Sequence, residues 1–272
     1  MLDKESWYSI TPEAIANHLT KRIVDIFQNE NSSERTGMIM LDPFCGCGGN
    51  GISFAKHSDV HMTVCVDIDI EKLKMAANNA SIYGIDTSRI IFIHADASDV
   101  MKCYQNGENI LNKKHDETPL VHMGYTIGLL EHLPQRIDCI FLSPPWGGPD
   151  YGVNHRDFDL KHNISISHTD PTKTGTKDQL SSDEIGKSKK EENAINGDEL
   201  LSTAASASRN KMVVLFLPRN LNGVSLGRSA LEAGYRGSIE FEQNVLNDKL
   251  KTITVYLGKN NSKLLRGEEK EK

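Results

Sequence analysis

An open α/β sheet wound in both directions, seven-stranded and mostly parallel with an antiparallel C-terminal hairpin, is the fold this sequence predicts. Three observations predict it. A short apolar run at 38–41 leads straight into LDPFCGCGGNG at 41–51 and then into a helical pattern. Strand, glycine turn and helix in that order open a doubly wound sheet. Apolar runs then alternate with helical stretches, which sets parallel strands side by side with helices over both faces. Two late stretches, 238–243 and 252–257, alternate apolar with polar residues well enough to pair as a hairpin.

The elements follow from local patterns. Residues 11–27 place Ile15, Leu19, Ile23 and Ile26 at helical spacing, with Thr11 as N-cap, Pro12 at the first helical position and Glu13 in the first turn. The first strand is 38–41. The second runs over 62–66 and ends at Asp67. A helix at 70–83 stops at Gly84. The third strand, 90–94, ends just before Asp96. The fourth, 137–142, runs into Ser143-Pro144-Pro145-Trp146, and the fifth, 212–217, into Pro218-Arg219-Asn220. Residues 103–120 are polar and predict a surface loop. Residues 161–199 hold too few apolar side chains to offset the entropy of ordering and predict a disordered insertion. The chain thus divides into one domain at 1–260, interrupted by that insertion, and a charged tail at 261–272.

The 38% hydrophobic content suffices for one sizeable core. No apolar run approaches the roughly 18 residues that span a bilayer, and MLDKESWYSI has no secretory-signal pattern. Five scattered cysteines suit reduced thiols. Only Cys45 and Cys47 lie close together, so no metal site is expected. A net charge of −6 argues against a broad basic face gripping nucleic acid. One terminal nucleotide held in a shaped pocket remains compatible with it.

Three strand ends carry the chemistry. In D-x-x-x-G-x-G-G, at 42–49, glycines 46, 48 and 49 let backbone approach a ligand closely. The acid Asp42 precedes the first glycine by four. That pattern fits an amino-acid-bearing cofactor, whose ammonium Asp42 would orient, better than a pyrophosphate, which calls for G-x-G-x-x-G. Asp67, at the end of the second strand, has the reach to accept both hydroxyls of a ribose. Asp69 competes for that role but does not sit directly at the strand end. Asp96 is placed to receive an adenine amino group, or is a simple loop acid.

In SPPWGGPDY, at 143–151, the Ser143 oxygen and the Pro144 carbonyl can hold the two N–H bonds of a ring-conjugated amine and expose its lone pair to an incoming methyl. The prolines stiffen that corner. Trp146 should stack on the base. Indole is the strongest cation–π partner, so it favours a positively charged purine. Gly147 and Gly148 leave open space that a core tryptophan would not need. Arg219 could grip phosphate oxygens bidentately or stand as a plain surface arginine. Tyr151, Lys161 and Asn220 are further candidates around it.

These segments resemble the trimethylguanosine synthases, the RNA cap hypermethylases. The resemblance rests on LDKESWYSITPEAIANH (2–18), LDPFCGCGGN (41–50), VDIDIEKLKMAANNASIYGI (66–85), SPPWGGPDY (143–151), FLPRN (216–220) and EQNVLNDKLKTITVYLG (242–258). It implies a class I, Rossmann-like S-adenosylmethionine-dependent methyltransferase. The implied substrate is the 7-methylguanosine cap of small nuclear and nucleolar RNA, methylated at N2. The implied cofactor set is Thr11, Asp42, Cys45, Gly46, Asn50, Asp67 and Asp96. Ser143, Pro144 and Trp146 would place the base, with Tyr151, Arg219 and Asn220 on the cap phosphates. Capped RNA is the implied partner, reached directly or through ribonucleoprotein components. The resemblance further implies a monomer in the nucleus (nucleolus or Cajal-like bodies) and also in the cytoplasm, with no membrane. Family members usually carry a helical segment with a phosphate-binding lysine ahead of position 2, where this sequence starts, and shorter loops at 103–120 and 161–199. Two rivals stand beside this reading. One is a related N-methyltransferase acting on adenine, internal guanine or glutamine. The other is a cap-binding module without cofactor, against which the intact glycine loop and Asp67 speak.

Overall fold

The computed structural model describes residues 1–30, 37–108, 133–146, 157–167, 194–237 and 239–258. Its main sheet has seven strands. They are β1 (Met38–Asp42), β2 (Val60–Asp67), β3 (Ile90–His94), β4 (Ile137–Leu142), β7 (Ser208–Pro218), β8 (Glu240–Leu246) and β9 (Lys249–Leu257), in the order β3-β2-β1-β4-β7-β9-β8. The first five in sequence are parallel, and β9 runs antiparallel to both β7 and β8. β4 is buried at every position, as a central parallel strand must be. The hairpin turns on Asn247 and Asp248, at φ of 52° and 57°. Two consecutive left-handed residues are what a type I′ hairpin turn requires.

Strand order reverses between β1 and β4, because the chain first builds outward through β2 and β3 and then returns. The loops after β1 and β4 therefore flank one crevice at the carboxyl edge, where ligands of such sheets bind. One face is packed by α5 (Ala97–Asn106), α7 (Gly197–Ala207) and α8 (Gly223–Glu232), with Leu200, Leu201 and Leu226 in its core. α2 (Glu13–Glu30) and α3 (Gly49–Lys56) cover the other, where Leu19, Ile23 and Phe54 meet Phe141. α4 (Ile70–Ile82) packs beside α3. Ahead of α2, residues Ser6–Ser9 form the one-turn helix α1, which the sequence pattern does not reveal.

The expected insertion at 161–199 needs correction at both ends. Leu160–Asn163 form α6, Ser165–Ser167 form β5, and β5 pairs antiparallel with β6 (Ala194–Asn196) directly before α7. The average polarity of the stretch hid a few decisive side chains. Leu160 and Ile164 are buried, and Asn196 with Glu199 builds a reciprocal capping box on α7. The ends also meet tightly, since a Cβ on Gly197 would stand 2.2 Å from the Leu160 carbonyl oxygen. Residues 168–193 lie outside the described residues. The expected loop at 103–120 likewise begins later. Cys103 to Asn106 continue α5, with Cys103 buried, until Gly107 ends the helix at φ +68°.

Candidate active site

At the carboxyl edge lies a cavity of about 920 Å³, walled by the loops after β1, β2, β3, β4 and β7, by α1, by β5 and by the β8–β9 turn. The β1 loop is shaped by its glycines. Gly46 and Gly48 adopt φ of +50° and +86°, and Gly48 is the N-cap of α3. A Cβ on Gly46 would meet nothing within 4 Å, so the backbone there faces open cavity. One on Gly49 would come within 2.9 Å of Ile10, which holds the α1 segment against the loop.

Asp67 braces this loop. Its Oδ2 accepts from Gly46 N at 2.8 Å and its Oδ1 from Asp69 N at 2.9 Å. Burial pushes its carboxyl upward, against those amides and the Lys72 ammonium. Asp69 is instead the N-cap of α4, its Oδ1 accepting from Glu71 N and Lys72 N. Between the two acids, Asp67 is thus the one tied to the glycine loop. Asp96 caps α5 in the same way, Oδ1 accepting from Ser98 N at 2.7 Å, while standing on the cavity wall. Asn50 donates from Nδ2 to Thr11 Oγ1 at 3.0 Å, which leaves its buried Oδ1 without a partner on that wall. An orphaned buried acceptor is costly unless a donor arrives. A ligand ammonium would supply one, and a ribose diol would suit Asp67.

Asp42 sits elsewhere. It is 1% exposed, beneath the loop, and is not part of the wall. Neither carboxylate oxygen closes a hydrogen bond of ordinary geometry. Burial pushes its pKa up to about 7, with the amides of Phe44 and Gly51 opposing and Asp67 adding repulsion. The folded form therefore holds a proton that the unfolded chain gives up near 3.8. Asp42 lowers stability as pH rises between those values, fully so above about 7. Asp42→Asn should remove this term. Relative to wild type without ligand, its stability is expected to gain up to roughly 4 kcal/mol between pH 4 and pH 8. Denaturant titrations at several pH values check this, and parallel pH curves would rule it out.

Past β4, the Ser143 hydroxyl donates toward the Phe44 carbonyl at 3.5 Å, joining this corner to the glycine loop and leaving its lone pairs as acceptors. Pro144 is buried, Pro145 exposed, and Trp146 half-buried against the core. The structure brings Thr11, Cys45, Gly46, Asn50, Asp67, Asp96, Ser143, Pro144, Trp146 and Arg219 onto one cavity wall. Asn220 and Lys161 are not on it, and Tyr151 lies outside the described residues. Burial pushes the Cys45 thiol well up, with Cys65, Asp67 and Asp42 adding to it, so it presents a neutral S–H.

Sequence reasoning missed four contributors: α1, Lys72, the β5 strip Ser165–Ser167 and the hairpin residues Leu250 to Thr252. Lys72 forms an ion pair with Glu5 at 3.3 Å. Burial pulls it down, but Glu5, Asp67 and Asp69 outweigh that and hold it up. Its place in the first turn after Asp67 was a usable signal, as was the Asn247-Asp248 turn.

Strand order, antiparallel last pair and cavity together define a Rossmann-like, class I methyltransferase fold. A SAM-dependent methyltransferase from Agrobacterium tumefaciens shares it, with a TM-score of 0.54 at 12% identity, over 93% of this chain and 64% of that one. The chain belongs to the RNA cap guanine-N2 methyltransferase family, whose model matches residues 37–260. Among curated relatives, the trimethylguanosine synthase of Schizosaccharomyces pombe is 36% identical over 150 residues, 55% of this chain and 47% of that protein. The trimethylguanosine synthase of Saccharomyces cerevisiae is 31% identical over 160 residues, 59% and 39% of the two chains. The matches span less than half of either relative.

Proposed function

We propose that this chain methylates the exocyclic N2 of a 7-methylguanosine RNA cap, with S-adenosylmethionine as donor. The observation that carries the reading is the shared cavity, in which the Ser143-Pro144-Pro145-Trp146 corner faces the same space as the glycine loop and Asp67. Membership of the cap guanine-N2 family supports the choice of base. Trp146 would lie against the cationic purine. Ser143 Oγ and the Pro144 carbonyl would accept the two N2 hydrogens, turning the nitrogen lone pair outward. Bound S-adenosylmethionine supplies an electrophilic methyl on a sulfonium. Asn50 and Asp67 would hold its ammonium and ribose, with Thr11 fixing the Asn50 amide. N2 would form the new N–C bond as the methyl–sulfur bond breaks, its electron pair staying on sulfur to leave S-adenosylhomocysteine, and N2 would then release one proton to water. The residues contribute mostly positioning. Arg219 is suited to a cap phosphate. Small nuclear and nucleolar RNAs as substrates, and a nuclear location, belong to the same proposal.

Labelled S-adenosylmethionine offered with m7GpppG, GpppG and uncapped RNA tests it, with mass spectrometry of the recovered caps. Transfer to m7GpppG alone, with one or two methyls at N2, is the expected result. Equal transfer to GpppG, or methylation of uncapped RNA, would point to a different N-methyltransferase.

A further inference from the structure

Two large rings at the cavity mouth have no part in the transfer proposed above. Trp7 and Tyr8 are neighbours on α1, both stand on the cavity wall, and each is 70% exposed. Folding gains nothing from holding such rings in water, and clustered exposed apolar surface beside a site marks binding. Their support is fixed. Asp3 Oδ1 accepts from Ser6 N at 2.6 Å, buried Ser6 Oγ meets Cys47 Sγ at 3.0 Å, and Glu5 pairs with Lys72. α1 is thereby pinned to the glycine loop and to α4.

Placement narrows the ligand. The chain has two tryptophans, and both Trp7 and Trp146 face this one cavity. Its wall also carries the cations Lys72, Arg219 and Lys251, beside the acids Glu5, Asp67, Asp69 and Asp96. At about 920 Å³ the space is near the upper end for a single-ligand pocket, leaving room beyond a cofactor and one base. Exposed aromatic rings are one means by which proteins hold single-stranded nucleotides, since every base offers a π face.

We infer that Trp7 and Tyr8 form a stacking platform for the base of the nucleotide that follows the cap, so that the site reads an RNA end rather than an isolated cap. This rests on the cap-methylation reading. The platform is tolerant of base identity, because stacking has no donor–acceptor code. A segment that covered the rings from another protein, or from a second copy, would give no dependence on the second nucleotide.

The test compares dissociation constants by isothermal titration, with S-adenosylhomocysteine present. The two ligands are 7-methylguanosine triphosphate, which has no second nucleoside, and the capped dinucleotide m7GpppA. Wild type should bind the dinucleotide more tightly. Trp7→Ala should weaken the dinucleotide about tenfold and leave the triphosphate within twofold. Trp7→Phe should recover most of the loss. Because Trp7 is exposed, matched thermal melts will show both variants folded. Equal losses on both ligands, or none on either, overturn the platform. Wild type that binds the triphosphate but gains nothing from the second nucleotide overturns the platform alone. Wild type that binds neither overturns the cap reading with it.

Discussion

Trp146→Ala is expected to reduce methyl transfer to m7GpppG by a hundredfold or more. Stacking of an indole on a desolvated cationic purine is worth about 2 kcal/mol. Loss of the flat surface also frees the base to tilt, and a misplacement of about 1 Å can cost a further hundredfold in rate. Both KM and kcat should therefore suffer. Trp146→Phe keeps a ring with a weaker face and should fall between. The ring is half-buried against the core, so some stability will be lost as well. Binding of S-adenosylhomocysteine serves as the fold control and should hold within a fewfold. Steady-state kinetics on both variants decide it, and full turnover in the alanine variant would mean that the base lies elsewhere.

Asp67→Ala should weaken S-adenosylhomocysteine at least a hundredfold. The carboxylate now accepts from Gly46 N and Asp69 N, so its removal loosens the glycine turn and the entry to α4 together. It also removes the group placed for the ribose. Hydrogen bonds to a charged group contribute about 1.5–3 kcal/mol each. Two such bonds to the ribose hydroxyls, made only in the complex, account for the expected factor. Asp67→Asn keeps one acceptor and should lose less. Isothermal titration measures this directly. A change of less than fivefold in the alanine variant would assign the cofactor to other residues.

Much of this architecture is legible without coordinates because its signals are local. Strand β1, the positive-φ glycines and the strand-end acids lie within one short window each, and β4 is apolar at every position but Asp138. Boundaries failed where burial overrode composition. Polar neighbours masked Leu160 and Ile164, which are held by packing against α7 and α8 rather than by any local pattern. β7 starts at Ser208, four residues before its apolar run, because pairing with β4 recruits polar residues. Within the site, the sequence could place Asp67 and Trp146 at strand ends. It could not show Asp42 turned beneath the loop, since a strand-end carboxylate can face either way. The α1 wall was also hidden, because one turn of helix leaves no periodicity to read.

The pairing of Ser167 with Ala194 has a consequence for how this enzyme family can vary. The positions on either side of 168–193 are thereby set next to each other, with β5 on the cavity wall. The two stems are fastened by the capping box of α7 and by the close Gly197–Leu160 approach. Closure entropy grows only with the logarithm of the connecting length, about 0.6 kcal/mol per doubling. The stretch between the stems can therefore be lengthened or trimmed over evolutionary time at little thermodynamic expense, while the neighbouring pocket keeps its shape.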